Sequence, residues 1–339
     1  MAATIKDIAR RTGLSLATIS KYLNGGNVRA ENKKAIDSAV EALNFRVNEV
    51  ARSLKTRHSK LIGFLIPELS NLFVTTIINA TETELRRRGY AMIVCDCNND
   101  PQLEKEAVDF LVQKGAEALV NMPVCSDGSH LQAALNQHLP VILVDRMLTA
   151  MKDKADCVLI DNMNASLQAT EYFLKHGHRN IGIIVGPKTI YTSQQRLLGY
   201  YQALLSYAIV ADDSWVAYSD YTIEGGYKSM LQLLERHPDM TGVFVTNYEM
   251  TMGALLALNE KNIAYPSDLS FIGFDNMLLT QFVRPTPTIV TQPLTALSKS
   301  IAELLIDRLE NGEKAGPART VMMKAELQEG KTVCSLGSK

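Results

Sequence analysis

The stretch that decides the reading is Thr4-Ile5-Lys6-Asp7-Ile8-Ala9-Arg10-Arg11-Thr12-Gly13-Leu14-Ser15-Leu16-Ala17-Thr18-Ile19-Ser20-Lys21-Tyr22-Leu23. Thr4 followed by Asp7 is a capping box: the Thr hydroxyl accepts from the Asp7 amide while the carboxylate reaches back. Ile5, Ile8 and Ala9 then share one face of a first helix. Gly13 supplies the left-handed turn, and Ser15 caps a second helix whose inward residues are Ile19 and Leu23. Two helices crossing steeply need a small residue at the crossing, and Ala9 stands opposite Ile19. Ala9, Gly13 and Ile19 thus have the spacing of a helix-turn-helix. A third helix, about 30–43, closes the small core with Ala35, Ile36, Ala39, Val40 and Leu43.

Charge separates this head from the rest of the chain. Residues 1–60 hold twelve basic and five acidic residues, a net of +7, in a chain whose total is −1. A basic head on an acidic body suggests a polyanion-binding module joined to something with another task. In a major groove the second helix presents its first turn to base edges. Leu16 and Ala17 can pack on thymine methyls there, and Lys21 can donate to guanine. Ser15, Thr18, Ser20 and Asn24 are short polar groups suited to phosphate oxygens, and Thr4 is counted with the DNA-facing residues.

The body, from Leu61 onward, reads differently. Leu61–Ile66, Ala91–Cys95, Ala118–Asn121, Val141–Val144 and Val158–Ile160 are short apolar runs, separated by helical patterns near Phe73–Arg88, Gln102–Lys114 and Ser129–His138. A second series has strands at Ile181–Val185, Trp215–Tyr218, Gly242–Thr246 and Ser270–Gly273. Its helices lie near Ala165–Lys175, Ser193–Tyr207, Gly225–Arg236 and Thr251–Asn259. Repeated β-α units demand parallel sheets covered on both faces, with ligands at the carboxyl ends of strands. Two such series predict an α/β core of two doubly wound subdomains with a cleft between them.

At 339 residues and 37.4 kDa, two or three folding units are expected. The chain has no run of eighteen apolar residues and no apolar stretch for a signal peptide behind Lys6, Arg10 and Arg11, so a cytoplasmic protein without membrane partners is expected. Five scattered cysteines give neither a disulfide framework nor zinc spacing. His176-Gly177-His178 reads as a helix end with a glycine cap, and Cys95 and Cys97 as core. Gly186-Pro187-Lys188-Thr189 lacks the upstream glycine of a phosphate loop. No metal, cofactor or enzymatic activity is expected.

Thr4–Ala9, Ser15–Ser20, Leu23-Asn24-Gly25 and Val50-Ala51-Arg52-Ser53-Leu54 together resemble the lactose/galactose repressor (LacI/GalR) family, and the likeness runs to about residue 325. The resemblance implies a helix-turn-helix domain over 1–47, a hinge helix over 48–58 and an effector-binding, dimerising core over 59–339. That core is periplasmic-binding-protein-like, with an N-subdomain of about 60–160 and 291–319 and a C-subdomain of about 161–290 and 320–339. The chain would cross between them near Asp161, Val290 and Thr320. The hinge would fold as a dimer on pseudo-palindromic operator DNA, with Leu54 wedged into the minor groove.

By position in the family's pattern, the effector-contacting residues are Phe73, Asn121, Asp145, Arg146, Asp161, Thr192, Arg196, Tyr221, Asn247, Asp275 and Gln292. Asp145-Arg146 is frequent among sugar-responsive members, which implies a sugar or sugar acid in preference to a purine or nucleoside. Several positions depart from the pattern. Arg29 replaces a capping serine and is an expected phosphate contact, Val47 replaces a proline, and the Gly25-Gly26-Asn27 turn is a residue shorter than in many members. Tyr248, Leu72 and Val74 alter the pocket pattern. The expectation is a dimeric, effector-gated repressor of carbohydrate-metabolism genes. A solute-binding protein would need a signal peptide and no basic head. A nucleotide-binding enzyme would need a glycine fingerprint that Gly63–Leu69 lacks.

Overall fold

The computed structural model describes residues 3–23, 25–45, 58–275 and 282–337. Asn24, Val47 and Leu54, and with Leu54 most of the expected hinge, lie outside the described residues. The chain divides into two compact units, residues 1–60 and 61–339.

In the first unit, α1 (Ile5–Thr12), α2 (Leu16–Leu23) and α3 (Ala30–Ala42) close on Ile8, Ile19, Ile36 and Ala39. Ala35 is exposed rather than part of that core. Asp7 reaches back as expected, its carboxylate accepting from the Thr4 amide at 2.9 Å and the Thr4 hydroxyl at 2.7 Å. The Asp7 amide donates to the Thr4 carbonyl at 3.0 Å. Gly13 ends α1 in the left-handed region at φ 71°.

The second unit holds two six-stranded sheets. The strands are β1 (Leu61–Ile66), β2 (Ala91–Asp96), β3 (Ala118–Asn121), β4 (Val141–Val144), β5 (Asp156–Ile160), β6 (Ile181–Val185), β7 (Val216–Tyr218), β8 (Gly242–Val245), β9 (Ser270–Phe274), β10 (Thr288–Thr291), β11 (Thr320–Met323) and β12 (Glu326–Gln328). The helices that cover them are α4 (Leu72–Arg87), α5 (Pro101–Gln113), α6 (Gln132–Asn136), α7 (Asn162–Lys175), α8 (Tyr191–Ser206), α9 (Ile223–Arg236), α10 (Tyr248–Glu260) and α11 (Leu294–Asn311).

The first sheet runs β11-β5-β4-β3-β1-β2, all parallel. The second runs β12-β10-β9-β8-β6-β7, parallel except for β12. Central strands are buried on both faces, the reason they read as continuous apolar runs. One apolar cluster runs through both halves, and each sheet's other face has a cluster of its own.

The crossovers differ in place from the sequence reading. The first falls at Asp161, between β5 and α7, as expected. β10 stays in the second sheet through Thr291, and the chain crosses at Gln292–Pro293 into α11, which packs on α4, β4 and β5. β11 joins the first sheet beside β5, so the third crossover falls at Lys324–Ala325 and not near Thr320. α11 and the last three strands were not assigned from the sequence. Among the described residues, no helix is long and apolar enough to cross a membrane.

Candidate functional site

Three of the expected effector residues share an uncommon backbone. Asp145, Tyr221 and Asp275 all take φ of 66°, in the left-handed region. Asp tolerates that region, whereas a bulky Tyr rarely enters it, and such conformations gather where side chains must be aimed at a ligand. Asp145 follows β4 and Asp275 follows β9, so the turn swings each carboxylate off its strand end toward the space between the halves. Tyr221 is seated by what it lies against: a Cβ on Gly186 would sit 2.1 Å from its ring, so the close approach needs glycine.

These residues line one small chamber of about 50 Å³, together with Phe73, Arg146, Thr192, Arg196, Asn247 and Gln292. Arg196 is at its centre and 5% exposed. Its Nε donates to Asn162 Oδ1 at 2.7 Å, its Nη1 to the Thr246 carbonyl at 2.5 Å, and its guanidinium lies 3.9 Å over the Phe274 ring. Gln292 donates through Nε2 to Asp275 Oδ1. Tyr221 OH is held by Thr192 and Ser193 hydroxyls at 3.1 and 2.5 Å. Arg146 Nη1 donates to the Pro123 carbonyl at 2.7 Å, and its Nε is 3.9 Å from Asp145. Asn247 caps α10, accepting from Met250 N at 2.9 Å.

Burial pushes both carboxyls up. Asp145 is raised by desolvation, against the pull of Arg146 and Arg196. Asp275 is raised to about 6 by desolvation, with Arg196 and Gln292 opposing and Asp145 and Glu249 adding repulsion. Three polar atoms facing this region have no partner: Asp145 Oδ1, Arg146 Nε and Gln292 Oε1. Two wider recesses adjoin the chamber. One of about 580 Å³ shares Phe73, Asp275 and Gln292 with it, and one of about 220 Å³ shares Arg146.

Asn121 and Asp161 do not line the chamber. Side chains alternate along a strand, and Asn121 shares the face of Leu119, whose packing is with the outer cluster. There it donates to Glu104 Oε1 at 2.8 Å and meets His130 Nε2 at 3.0 Å. Met122, one residue on, takes the chamber position. Asp161 caps α7, accepting from Asn164 N at 3.1 Å. Asn162, next to it, is the residue that grips Arg196. Asn162, a polar residue just past a strand end, was a cleft candidate not carried into the effector set, and sequence reasoning missed Pro67, Asn71 and Met122 on the wall; strand alternation would have exchanged Asn121 for Met122.

In the head, Ser15, Leu16, Ala17, Lys21 and Arg29 are exposed, and Thr4 is exposed at the start of α1. Ser15 Oγ accepts from the Thr18 amide at 3.2 Å and bonds Thr18 Oγ1 at 2.9 Å, so both hydroxyls build the cap of α2. Thr18 and Ser20 are half-buried. Arg29 precedes α3 without any side-chain cap bond. The turn beyond α2 folds back on Lys21: the Gly26 amide donates to its carbonyl at 2.8 Å, and a Cβ on Gly26 would meet Lys21 Cγ at 2.7 Å.

Comparison with known proteins agrees with both units. Residues 4–48 match the model described as bacterial regulatory proteins, lacI family. Residues 59–309 match the model for periplasmic binding proteins and the sugar binding domain of the LacI family. The chain is 33% identical to the HTH-type transcriptional repressor PurR of Proteus mirabilis (strain HI4320), over 98% of this chain and 97% of that one. It is 33% identical to PurR of Shigella sonnei (strain Ss046), over 91% of each. A crystal structure of the lac repressor dimer bound to operator and the anti-inducer ONPF shares the fold, with a TM-score of 0.88 at 21% identity over 98% of this chain and 100% of that one. A helix-turn-helix with an exposed reading edge, followed by two doubly wound halves around a buried polar chamber, belongs to a DNA-binding transcriptional repressor of the LacI family, and this chain is a member of that family.

Proposed function

We propose that this repressor is gated by a neutral, polyhydroxylated small molecule bound in the chamber around Arg196. The observation that carries the reading is the charge and bonding state of that chamber. Asp145 and Asp275 face it as acidic side chains whose ionised forms burial already disfavours, and both guanidiniums are already bonded to protein oxygens. An anionic ligand would stand beside those two acidic side chains and disfavour their ionised forms further. Hydroxyls, which donate and accept, satisfy bare Asp145 Oδ1, Gln292 Oε1 and Arg146 Nε together. A neutral sugar is therefore favoured over a sugar acid. A second reading, a purine or nucleoside, draws on the two aromatic side chains Phe73 and Tyr221, one from each half, that line the chamber.

At about 50 Å³ the chamber is well below the ~300 Å³ of common ligand pockets, so entry requires the halves to part or the ligand to extend into the adjoining recess. That motion is the gate. A homodimer places two heads on a pseudo-palindromic operator. Ligand changes the relative orientation of the halves, and with it whether the paired hinges order on DNA, through a coupling of about 1–3 kcal/mol. Calorimetric titration of the full chain with neutral mono- and disaccharides, aldonic acids and nucleobases tests the reading. Saturable binding of a neutral sugar, lost in Arg196→Met, is expected. Binding of aldonic acids alone would overturn it, and binding of nucleobases alone would establish the second reading.

A further inference from the structure

Asn121, on the outer face of the first sheet, belongs to a second buried polar group that the effector reading does not use. Glu104 of α5 and His130 are both buried, Glu104 entirely. Glu104 Oε1 accepts from Asn121 Nδ2 at 2.8 Å and Val124 N at 2.9 Å, and Oε2 from Cys125 N at 2.7 Å. Because the Asn121 amide nitrogen is spent on the carboxylate, its Oδ1 faces His130, and His130 Nε2 must carry the hydrogen of that 3.0 Å bond. His130 Nε2 also lies 3.5 Å from Glu104 Oε1, while Nδ1 is buried and has no hydrogen-bond partner. The Cys125 thiol, half-buried, contacts the Pro101 carbonyl at 3.7 Å and hydrogen-bonds the Glu104 side chain, and burial first and that carboxylate second push the thiol up. One ligand atom from each of Glu104, Cys125 and His130 lies within 4.8 Å of the others.

We propose that Glu104, Cys125 and His130 form a site for a borderline-soft divalent transition-metal ion of the zinc type. Sulfur, imidazole nitrogen and carboxylate oxygen are the donors such an ion takes, and three protein ligands leave one position open. Cys125 and His130 also line a cavity of about 700 Å³, whose wall includes Asp127 and Lys105 from one half and Thr189 from the other. Tetrahedral bonds of ~2.0–2.3 Å set ligand atoms roughly 3.5 Å apart, so separations of up to 4.8 Å close with modest side-chain movement. Asn121 acts as the orienting group that fixes the imidazole tautomer.

The test is titration of the reduced full-length protein with Co²⁺ in chelator-treated buffer. One equivalent should produce a thiolate-to-cobalt charge-transfer band that Zn²⁺ removes by competition. The band should be lost in Cys125→Ser, weakened about tenfold or more in affinity in His130→Gln, and kept in Cys334→Ser. A band absent from the wild-type protein, or undiminished in Cys125→Ser, overturns the proposal. A second measurement needs no variant. One equivalent of Zn²⁺ should slow alkylation of Cys125, followed by peptide mass spectrometry, and leave Cys95 unchanged. Equal alkylation of Cys125 with and without Zn²⁺ also overturns it.

Discussion

Adjacent strands of the first sheet, β3 and β4, each end in a buried polar group, and the two groups stand in opposite states of completion. Beyond β4, Asp145 enters a chamber where acceptors and a donor are left bare and two carboxyls are pushed up by burial. At the end of β3, Asn121 enters a cluster in which Glu104 is bonded to three N–H donors and one imidazole nitrogen alone is unmatched. Burial by itself therefore does not mark an effector site. Unmet hydrogen-bonding capacity, spread over Asp145, Arg146 and Gln292, distinguishes the first cluster. In the second, Glu104 also ties the segment after β3 to α5 through Val124 N and Cys125 N.

Perturbing each cluster should separate these roles. The largest effect is expected from Glu104→Ala, which strands the Asn121 amide and the Val124 and Cys125 amides; at about 1–3 kcal/mol for each buried donor left unmet, urea unfolding should show a loss of at least about 3 kcal/mol. Loss under about 1 kcal/mol, the worth of an ordinary single hydrogen bond, would mean the cluster does little to hold the loop. Arg196→Met should weaken effector binding by about 2–4 kcal/mol in calorimetry while the effector-free chain retains its operator affinity. A change of equal size in both would make Arg196 structural only.

Asp275→Asn sharpens the comparison through pH. A carboxyl raised to about 6 keeps in the folded state a proton that the unfolded chain releases near the ordinary value of 3.8. Its contribution therefore favours the fold at low pH and is lost as pH rises from about 4 to about 6. The stability of wild type relative to Asp275→Asn should fall across that window and level off above it. A flat difference would remove the burial argument. Effector affinity should run the other way, rising through about pH 6 as Asp275 becomes a full acceptor.

Among its described residues the head has no buried polar cluster, and its chemistry lies on the exposed edge of α2. Lys21→Ala should relax selectivity at one base pair by about 1–3 kcal/mol in competition binding if it reads guanine. Uniform weakening across sequences would make it a phosphate contact.

The legible parts of the fold were those where local pattern and packing agree. The apolar runs of β1, β3, β4 and β6 carry their own boundaries, because strands buried on both faces admit few polar residues. β11 and β12 were hidden because their residues are largely exposed or half-buried. Ownership of β11 by the first sheet is a tertiary fact that no local pattern encodes. In the chamber, residues just past strand ends were found by position. Asn121 was misassigned because membership of a strand end does not fix which face a side chain takes, and Asn162, also just past a strand end, acts through Arg196. The Glu104, Cys125 and His130 group, drawn from a helix and a loop, has no spacing that sequence alone could flag.

Operator affinity of the full-length protein, measured with and without a calorimetrically identified effector on a duplex selected from a random pool, tests the central claim most directly. The account predicts salt-sensitive, sequence-selective binding that shifts about 5–150-fold at saturating effector, with the shift abolished in Arg196→Met. Selective binding that no bound effector alters, or an unaltered shift in Arg196→Met, would contradict it.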